Sequence, residues 1–417
     1  MRDVYIIGAY STQFKKWPEK SFKDLTKDAY MGVLEDSNFT NGDLIQFAWF
    51  SNCFMGFWQQ MNIRGHVCFI PLVREGLFPE RIPIINVEGA CASGSMAFHG
   101  AYKDILSGEC EVSLAIGVEK VWNPDLDRQS LFSMFDVGID NFNREETIES
   151  YMHAAEKCEE RFEPGPGRTM FMDTYAIQAR YHMWKYGTNQ RQIAFGAAKN
   201  HYYGSLNPKA QYQFDISLEQ ILEDRLVSYP LTRSMCAPIG DGAAACLLCS
   251  GDFLSNLSAS EKNRAVKVCA SVIAGGKYRQ PDEASLSRVA SQKAYTKAGI
   301  EPHDIDVVEL HDATSFGEIY QAEMLGFCPE GKGGTFIESG ATTLEGKIPM
   351  NTSGGLVSKG HPVGATGLSM IYELVAQLRG EAGRRQVKNA EFALQENGGG
   401  VIGLEEAACS IIILQNN

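Results

Sequence analysis

The sequence predicts an α/β protein built from two related halves, and three observations carry that reading. Ala92-Ser93-Gly94-Ser95-Met96 leads through an amphipathic stretch to Leu106-Ser107-Gly108-Glu109. Ala365-Thr366-Gly367-Leu368-Ser369-Met370 leads in the same way to Leu378-Arg379-Gly380-Glu381, so a turn, a helix and a terminating glycine recur in one order at nearly one spacing. Strand-like and helix-like patterns alternate in both halves of the chain. A chain of 417 residues, 44% hydrophobic, is long enough to bury a core of this size.

Taken in order, the first half opens with a strand from Val4 to Ala9, reaches the turn at Cys91 and its helix, and continues to a strand from Val112 to Gly117. The pattern then changes. Residues from about 120 to 235 are rich in Asp, Glu, Met and aromatics, carry the punctuation Pro164-Gly165-Pro166-Gly167, and include a helical run from Thr174 to Tyr186. The small-residue run Ala243 to Leu248 reads as a strand returning to the first half, and polar residues Ser255 to Asn263 read as the link to the second. The second half offers a strand at Val266 to Ala274, a helix near Ser285 to Ala298, a strand from Val307 to Leu310, the helix Leu368 to Leu378, and strands at Glu391 to Gln395 and Cys409 to Leu414. Two alternating sets of this kind imply two mixed sheets packed as a layered sandwich.

Bulk properties exclude several classes. A net charge of −13 with no Lys/Arg block argues against a nucleic-acid partner, and no local basic patch for a phosphate ligand can be picked out. The N-terminal strand is preceded by no leader, and no apolar stretch approaches the roughly 20 residues that span a bilayer, so the cytoplasm is the expected location, with no membrane partner. Eleven cysteines, an odd number scattered through apolar contexts, read as reduced thiols. Cys246-Leu247-Leu248-Cys249 has redox-motif spacing but lies in the run read as a buried strand.

The chemistry concentrates in two small-residue turns. Asn86-Val87-Glu88-Gly89-Ala90-Cys91 sets a cysteine before one helix, and Asn351-Thr352-Ser353-Gly354-Gly355 through Lys359-Gly360-His361-Pro362-Val363-Gly364-Ala365 sets an imidazole before the other. Pseudo-symmetry places Cys91 and His361 at facing helix N-termini, where the helix dipole favours a thiolate and the imidazole accepts its proton, so Cys91 is expected to be largely thiolate at neutral pH.

With these turns, the blocks Lys185-Tyr186-Gly187-Thr188, Ala197-Ala198-Lys199-Asn200-His201, Asn207-Pro208-Lys209-Ala210-Gln211, Cys236-Ala237-Pro238-Ile239-Gly240-Asp241-Gly242 and Glu309-Leu310-His311-Asp312-Ala313-Thr314 follow in family order. Over nearly its whole length the chain resembles the thiolase superfamily, nearest to its sterol-carrier-protein-2 type. The resemblance implies a five-layer αβαβα arrangement, with an N-terminal half of residues 1–120 and 236–262, an inserted cover region of 121–235, and a C-terminal half of 263–417. It implies cleavage of a branched or aromatic 3-oxoacyl-CoA through a Cys91 acyl-enzyme, with coenzyme A as co-substrate and no bound cofactor or metal. A benzoylsuccinyl-CoA thiolase is one member of this style. His361 would take the thiol proton; His311, where the sterol-carrier type has histidine, would help bind the thioester oxygen.

The chain departs from the family pattern at its second cysteine: Glu396 fills one family location and Ala313 the other. Glu396 is in register to replace the missing acid/base, and the amides of Cys91 and Gly398, in the loop Glu396-Asn397-Gly398-Gly399-Gly400, are the expected oxyanion hole. Met170, Phe171 and Met172, with Phe132, Phe135 and Phe142, are candidates to line an acyl pocket. The partners implied are a second copy in a homodimer and a zinc-ribbon/OB-fold protein of the DUF35 type. Alternatives are a retro-aldol lyase acting on a β-hydroxyacyl-CoA, a non-catalytic thiolase-fold subunit and a decarboxylating ketosynthase.

Overall fold

A computed structural model describes residues 2–165 and 167–417, so Pro166 of the Pro-Gly punctuation lies outside the described residues. The first half contributes β1 (Val4–Ser11), α1 (Phe22–Asp36), β2 (Phe47–Ser51), α2 (Arg64–Arg74), β3 (Ile84–Val87), α3 (Ser93–Ser107) and β4 (Val112–Glu119). The cover region includes α4 (Met170–Tyr186) and α5 (Gln190–Ser205), after which β5 (Gly242–Ser250) returns to the sheet. The second half supplies β6 (Val266–Gly275), α6 (Leu286–Ala298), β7 (Val307–Glu309), α7 (Phe316–Met324), α8 (Thr366–Leu378), β8 (Phe392–Gly399) and β9 (Ala408–Asn416).

Local chemistry sets the helix ends. Ser21 and Asn189 close capping boxes on α1 and α5, and Gly108, Gly187 and Gly299 take the left-handed conformation that stops α3, α4 and α6. The link read from Ser255 to Asn263 is more ordered than its polarity suggests: it contains parts of two short helices, Gly251–Ser255 and Ala259–Arg264, each started by a serine cap.

The two expected sheets are one. Nine strands run in the order β3-β2-β4-β5-β1-β6-β9-β8-β7, and the halves join where Tyr5 and Ile6 of β1 pair antiparallel with Lys267 and Val266 of β6. The duplication survives in the topology. Outward from this joint, each half runs from its first strand to its last and then its penultimate one, with two antiparallel pairings followed by a parallel one. The first and last strands of each half lie together, so first strand joins first strand at the merger, with a register shift on β1 between Ile6 and Gly8 beside the joint.

The sheet wraps the paired central helices. Ala97, Phe98 and Ala101 of α3 and Leu368, Ile371 and Leu374 of α8 share one core with residues of β1, β6, β8 and β9. Leu25, Ala29 and Val33 of α1 and Phe69 and Leu72 of α2 cover the first outer face, and α6 residues Leu286, Ala290 and Ala294 cover the second. Five αβαβα layers result. All eleven cysteines are free. Cys246 and Cys249 stand three apart on β5, so they face different cores and have no common ligand position.

Candidate active site

The duplicated turns meet at the start of the central helices. A Cβ on Gly94 would lie 3.0 Å from the Leu368 amide nitrogen, and one on Gly367 would lie 2.5 Å from that of Ser95, so only glycine at both positions lets the helix starts touch. This contact brings the Cys91 turn and the His361 turn together. Cys91 Sγ lies 3.1 Å from His361 Nε2, and the His311 and His361 ring centroids are 5.3 Å apart.

Cys91 sits in a single 3-10 turn before α3, and the preceding Ala90 holds a left-handed φ of 49°. A non-glycine residue there costs about 1–2 kcal/mol. The turn is held by Ser93, whose hydroxyl donates to the Ala90 carbonyl and accepts from the Gly89 amide, and by the Ala90 amide donating to Glu88.

The His361 tautomer follows from its partner. Thr366 Oγ1 donates to the Pro362 carbonyl at 3.0 Å, so at 2.7 Å from His361 Nδ1 it accepts the ring proton. His361 Nε2 therefore turns a lone pair toward the Cys91 thiol. Thr366→Val keeps the shape and removes the acceptor; leaving a buried ring N–H unpaired costs about 1–3 kcal/mol, so kcat is expected to fall roughly 5- to 150-fold with the fold intact by circular dichroism.

Electrostatics correct the thiolate expectation. Cys91 is buried among Phe54, Val121, Leu131, Met134 and Val363, and burial, with Glu88 and Glu406 nearby, pushes its thiol up to about 12. Burial holds His311 down at about 4 and His361 well below its ordinary value. Both shifts favour an uncharged thiol beside a neutral imidazole. Desolvation outweighs the helix start because Cys91 is only 8% exposed and packed among apolar side chains.

His311 follows the end of β7, and its Nε2 has no hydrogen-bond partner among the described residues. Its place is set by buried carboxylates. Glu309 accepts from the Ser353 amide at 3.0 Å and from Lys359 at 3.3 Å, while Asp312 accepts from the Leu356 amide at 2.6 Å and Asn200 at 2.9 Å. These bonds tie the strand end to the Gly-His-Pro loop. Glu119, at the end of β4, receives the Cys53, Phe54 and Gly364 amides and secures the same loop from the first half.

Glu396 lies on β8 and not in a loop, because the ladder to β9 continues through Gly399. Its carboxylate accepts the His311 amide at 3.0 Å and the Ser287 hydroxyl at 3.2 Å, and burial, followed by Glu406, raises it to about 8. Gly398 also belongs to the strand, paired with Cys409 and covered by the Glu406 side chain; the amides directed at the Cys91 sulfur are those of Gly400 and Cys91 itself. The positive φ of 66° at Gly400 turns the chain off the strand just after that amide.

A cavity of about 210 Å³ opens from Cys91 and His361. Phe132, Phe135, Phe171, Met172 and Tyr175 line it, and Ala313 lies on its wall. Met170 and Phe142 do not. On α4, Phe171, Met172 and Tyr175 share the cavity side, whereas Met170 packs with Tyr151 and Ile177 inside the cover region, and Phe142 projects fully into solvent. Arg128, Arg168, Arg225 and Arg233 also line the cavity. Sequence reading missed this basic group because its members are spread along the cover region and only its folding gathers them. Thr366 and Glu119 were missed too; Thr366 stood within a recognised motif, but Glu119 gave no local signal.

The thiolase N-terminal domain family matches residues 4–218 and the thiolase C-terminal domain-like family matches 279–414. The chain is 36% identical over 408 residues to an acetyl-CoA acetyltransferase of Methanothermobacter thermautotrophicus, covering 97% of this chain and 98% of that one. It is 34% identical over 442 residues to human sterol carrier protein 2, covering 98% and 74%. Against the benzoylsuccinyl-CoA thiolase subunit BbsB of Thauera aromatica, identity is 31% over 391 residues, covering 93% and 92%. Among solved structures, the Ltp2-ChsH2(DUF35) aldolase superposes with a TM-score of 0.76 at 20% identity, covering 99% and 98% of the two chains. Human mitochondrial 3-ketoacyl-CoA thiolase does so with a TM-score of 0.69 at 17% identity, covering 100% and 99%. With both family domains matched in order on a five-layer fold, the chain belongs to the thiolase superfamily of acyltransferases and, within it, to the sterol-carrier-protein-2 type.

Proposed function

We propose that this acyltransferase cleaves a branched or aromatic 3-oxoacyl-CoA with coenzyme A through a Cys91 acyl-enzyme. The observation that carries the proposal is the 3.1 Å thiol–imidazole contact at the base of the arginine- and aromatic-lined cavity. As the substrate arrives, Cys91 gives its proton to His361 Nε2 and attacks the 3-oxo carbon. The bond between C2 and C3 breaks, and its electron pair passes to the thioester as an enolate whose oxygen accepts from the new Nε2–H and from His311. Protonation at C2 releases the shortened acyl-CoA before the CoA thiol attacks the acyl-enzyme and expels Cys91. The Gly400 and Cys91 amides receive the oxyanion of the acyl-enzyme step. Glu396, with an acidity near neutrality, supplies and recovers the proton that the missing second cysteine handles elsewhere in the family.

The aromatic wall supports a bulky acyl group, and the 31% identity to a benzoylsuccinyl-CoA thiolase subunit supports the same class. The arginines suit the phosphates of coenzyme A. Arg128 and Arg225 have no carboxylate ion-pair partner among the described residues, so Arg128→Ala and Arg225→Ala are each expected to raise KM for CoA roughly 2- to 10-fold with kcat nearly unchanged.

Incubation with an aromatic 3-oxoacyl-CoA tests the reading. A thiolase forms two thioesters and requires free CoA, whereas release of a ketone or aldehyde from a β-hydroxyacyl-CoA without CoA would establish the retro-aldol alternative, which the aldolase neighbour favours. Failure to acylate Cys91 with any acyl-CoA would leave the non-catalytic subunit reading.

The proposed assembly is a homodimer joined to a DUF35-type zinc-ribbon/OB-fold protein. The edge strand β3 with its exposed Ile85 supports the first contact, and the likeness to a named subunit, BbsB, supports the second. Sedimentation as a monomer that does not change on adding such a protein would overturn both. No helix among the described residues is long and apolar enough to cross a membrane.

A further inference from the structure

We propose that Cys91, His311 and His361 form a binding site for a thiophilic divalent cation, best matched by zinc, and that filling it switches the enzyme off. The Cys91 Sγ and one ring nitrogen of each histidine all lie within 4.8 Å of one another, and all three side chains are buried. In a tetrahedral zinc site, with Zn–S about 2.3 Å and Zn–N about 2.0–2.1 Å, neighbouring donors stand about 3.3–3.6 Å apart. The 3.1 Å Cys91–His361 spacing needs only a small opening to meet this, and a His311 ring nitrogen lies within 4.8 Å of both other donors.

The donors are suited to it individually. His361 carries its proton on Nδ1, held by Thr366, so Nε2 offers a lone pair without rearrangement. His311 Nε2 is buried without a hydrogen-bond partner among the described residues, so the ring is not committed elsewhere through that atom, and the ring nitrogen that faces Cys91 and His361 becomes the second ligand with the proton on the other. Cys91 supplies the thiolate by losing its proton to solvent as the Zn–S bond forms; both imidazoles bind as neutral donors, and no atom changes oxidation state. Two of the three residues line the cavity, so the fourth zinc position faces it and takes water. One thiolate and two imidazoles favour zinc or cobalt over magnesium, which prefers oxygen ligands.

Occupation removes both the nucleophile and its base, so inhibition is complete when the site is full. The test titrates the purified full chain with Co²⁺ alone, reading the thiolate-to-cobalt charge-transfer band, and with Zn²⁺ alone, reading acyl transfer and iodoacetamide labelling. One equivalent is expected to produce the band, stop turnover and protect Cys91 while leaving Cys53 and Cys236 labelling unchanged. Chelator should restore activity, and Mg²⁺ should do nothing. Cys91→Ser should lose the band, and His311→Asn should weaken Zn²⁺ binding at least about 10-fold. The direct binding readout separates this proposal from the identity of the acyl substrate. A band that persists in Cys91→Ser, equal Zn²⁺ affinity in His311→Asn and the parent chain, or bound zinc without loss of acyl transfer would each overturn it.

Discussion

Cys91→Ala is expected to lower CoA-dependent cleavage by at least about 10⁴-fold while leaving the fold intact, because no neighbouring group replaces a missing covalent nucleophile. Alanine fits the turn, since Ala90 and Ala92 flank the position and Ser93 holds the turn through backbone groups. Retention of near-normal cleavage would remove the acyl-enzyme from the mechanism. The two histidines should then separate by function. With the thiol held neutral at rest, His361→Ala removes the proton acceptor and is expected to slow both alkylation of Cys91 and turnover. His311→Ala should spare alkylation but cost about 3 kcal/mol, roughly 100-fold, in carbon–carbon cleavage, the worth of one oxyanion donor. Equal effects of the two substitutions on alkylation would refute that division.

Glu396→Gln is expected to lower thiolysis roughly 10²- to 10⁴-fold while acylation of Cys91 by a simple acyl-CoA survives. The amide oxygen of glutamine can still accept from the His311 amide or the Ser287 hydroxyl, so shape and most hydrogen bonding persist. What disappears is the ability to exchange a proton near neutral pH. Single-turnover acylation and steady-state thiolysis measured on the same preparation separate the two steps. Should thiolysis stay within a few-fold of the parent enzyme, Glu396 serves only to fix the His311 backbone, and the proton passes through His311, His361 or water.

The sequence by itself determined the duplication, the order of strands and helices, and the turn that carries each reactive group. These are local properties: apolar periodicity places a strand or helix, and a glycine ends it or lets it approach another, as Gly94 and Gly367 do where the two halves meet. Only the tertiary structure decided what depends on residues far apart in the chain. It merged two sheets at the β1–β6 joint, extended β8 through Gly399, and made Gly400 rather than Gly398 the amide at the Cys91 sulfur. It also turned Met170 away from the cavity and gathered four arginines around it. The charge state of Cys91 belongs to the same class. A helix start favours a thiolate, but the apolar side chains that bury Cys91 come from separate parts of the sequence, and their combined desolvation outweighs that local preference.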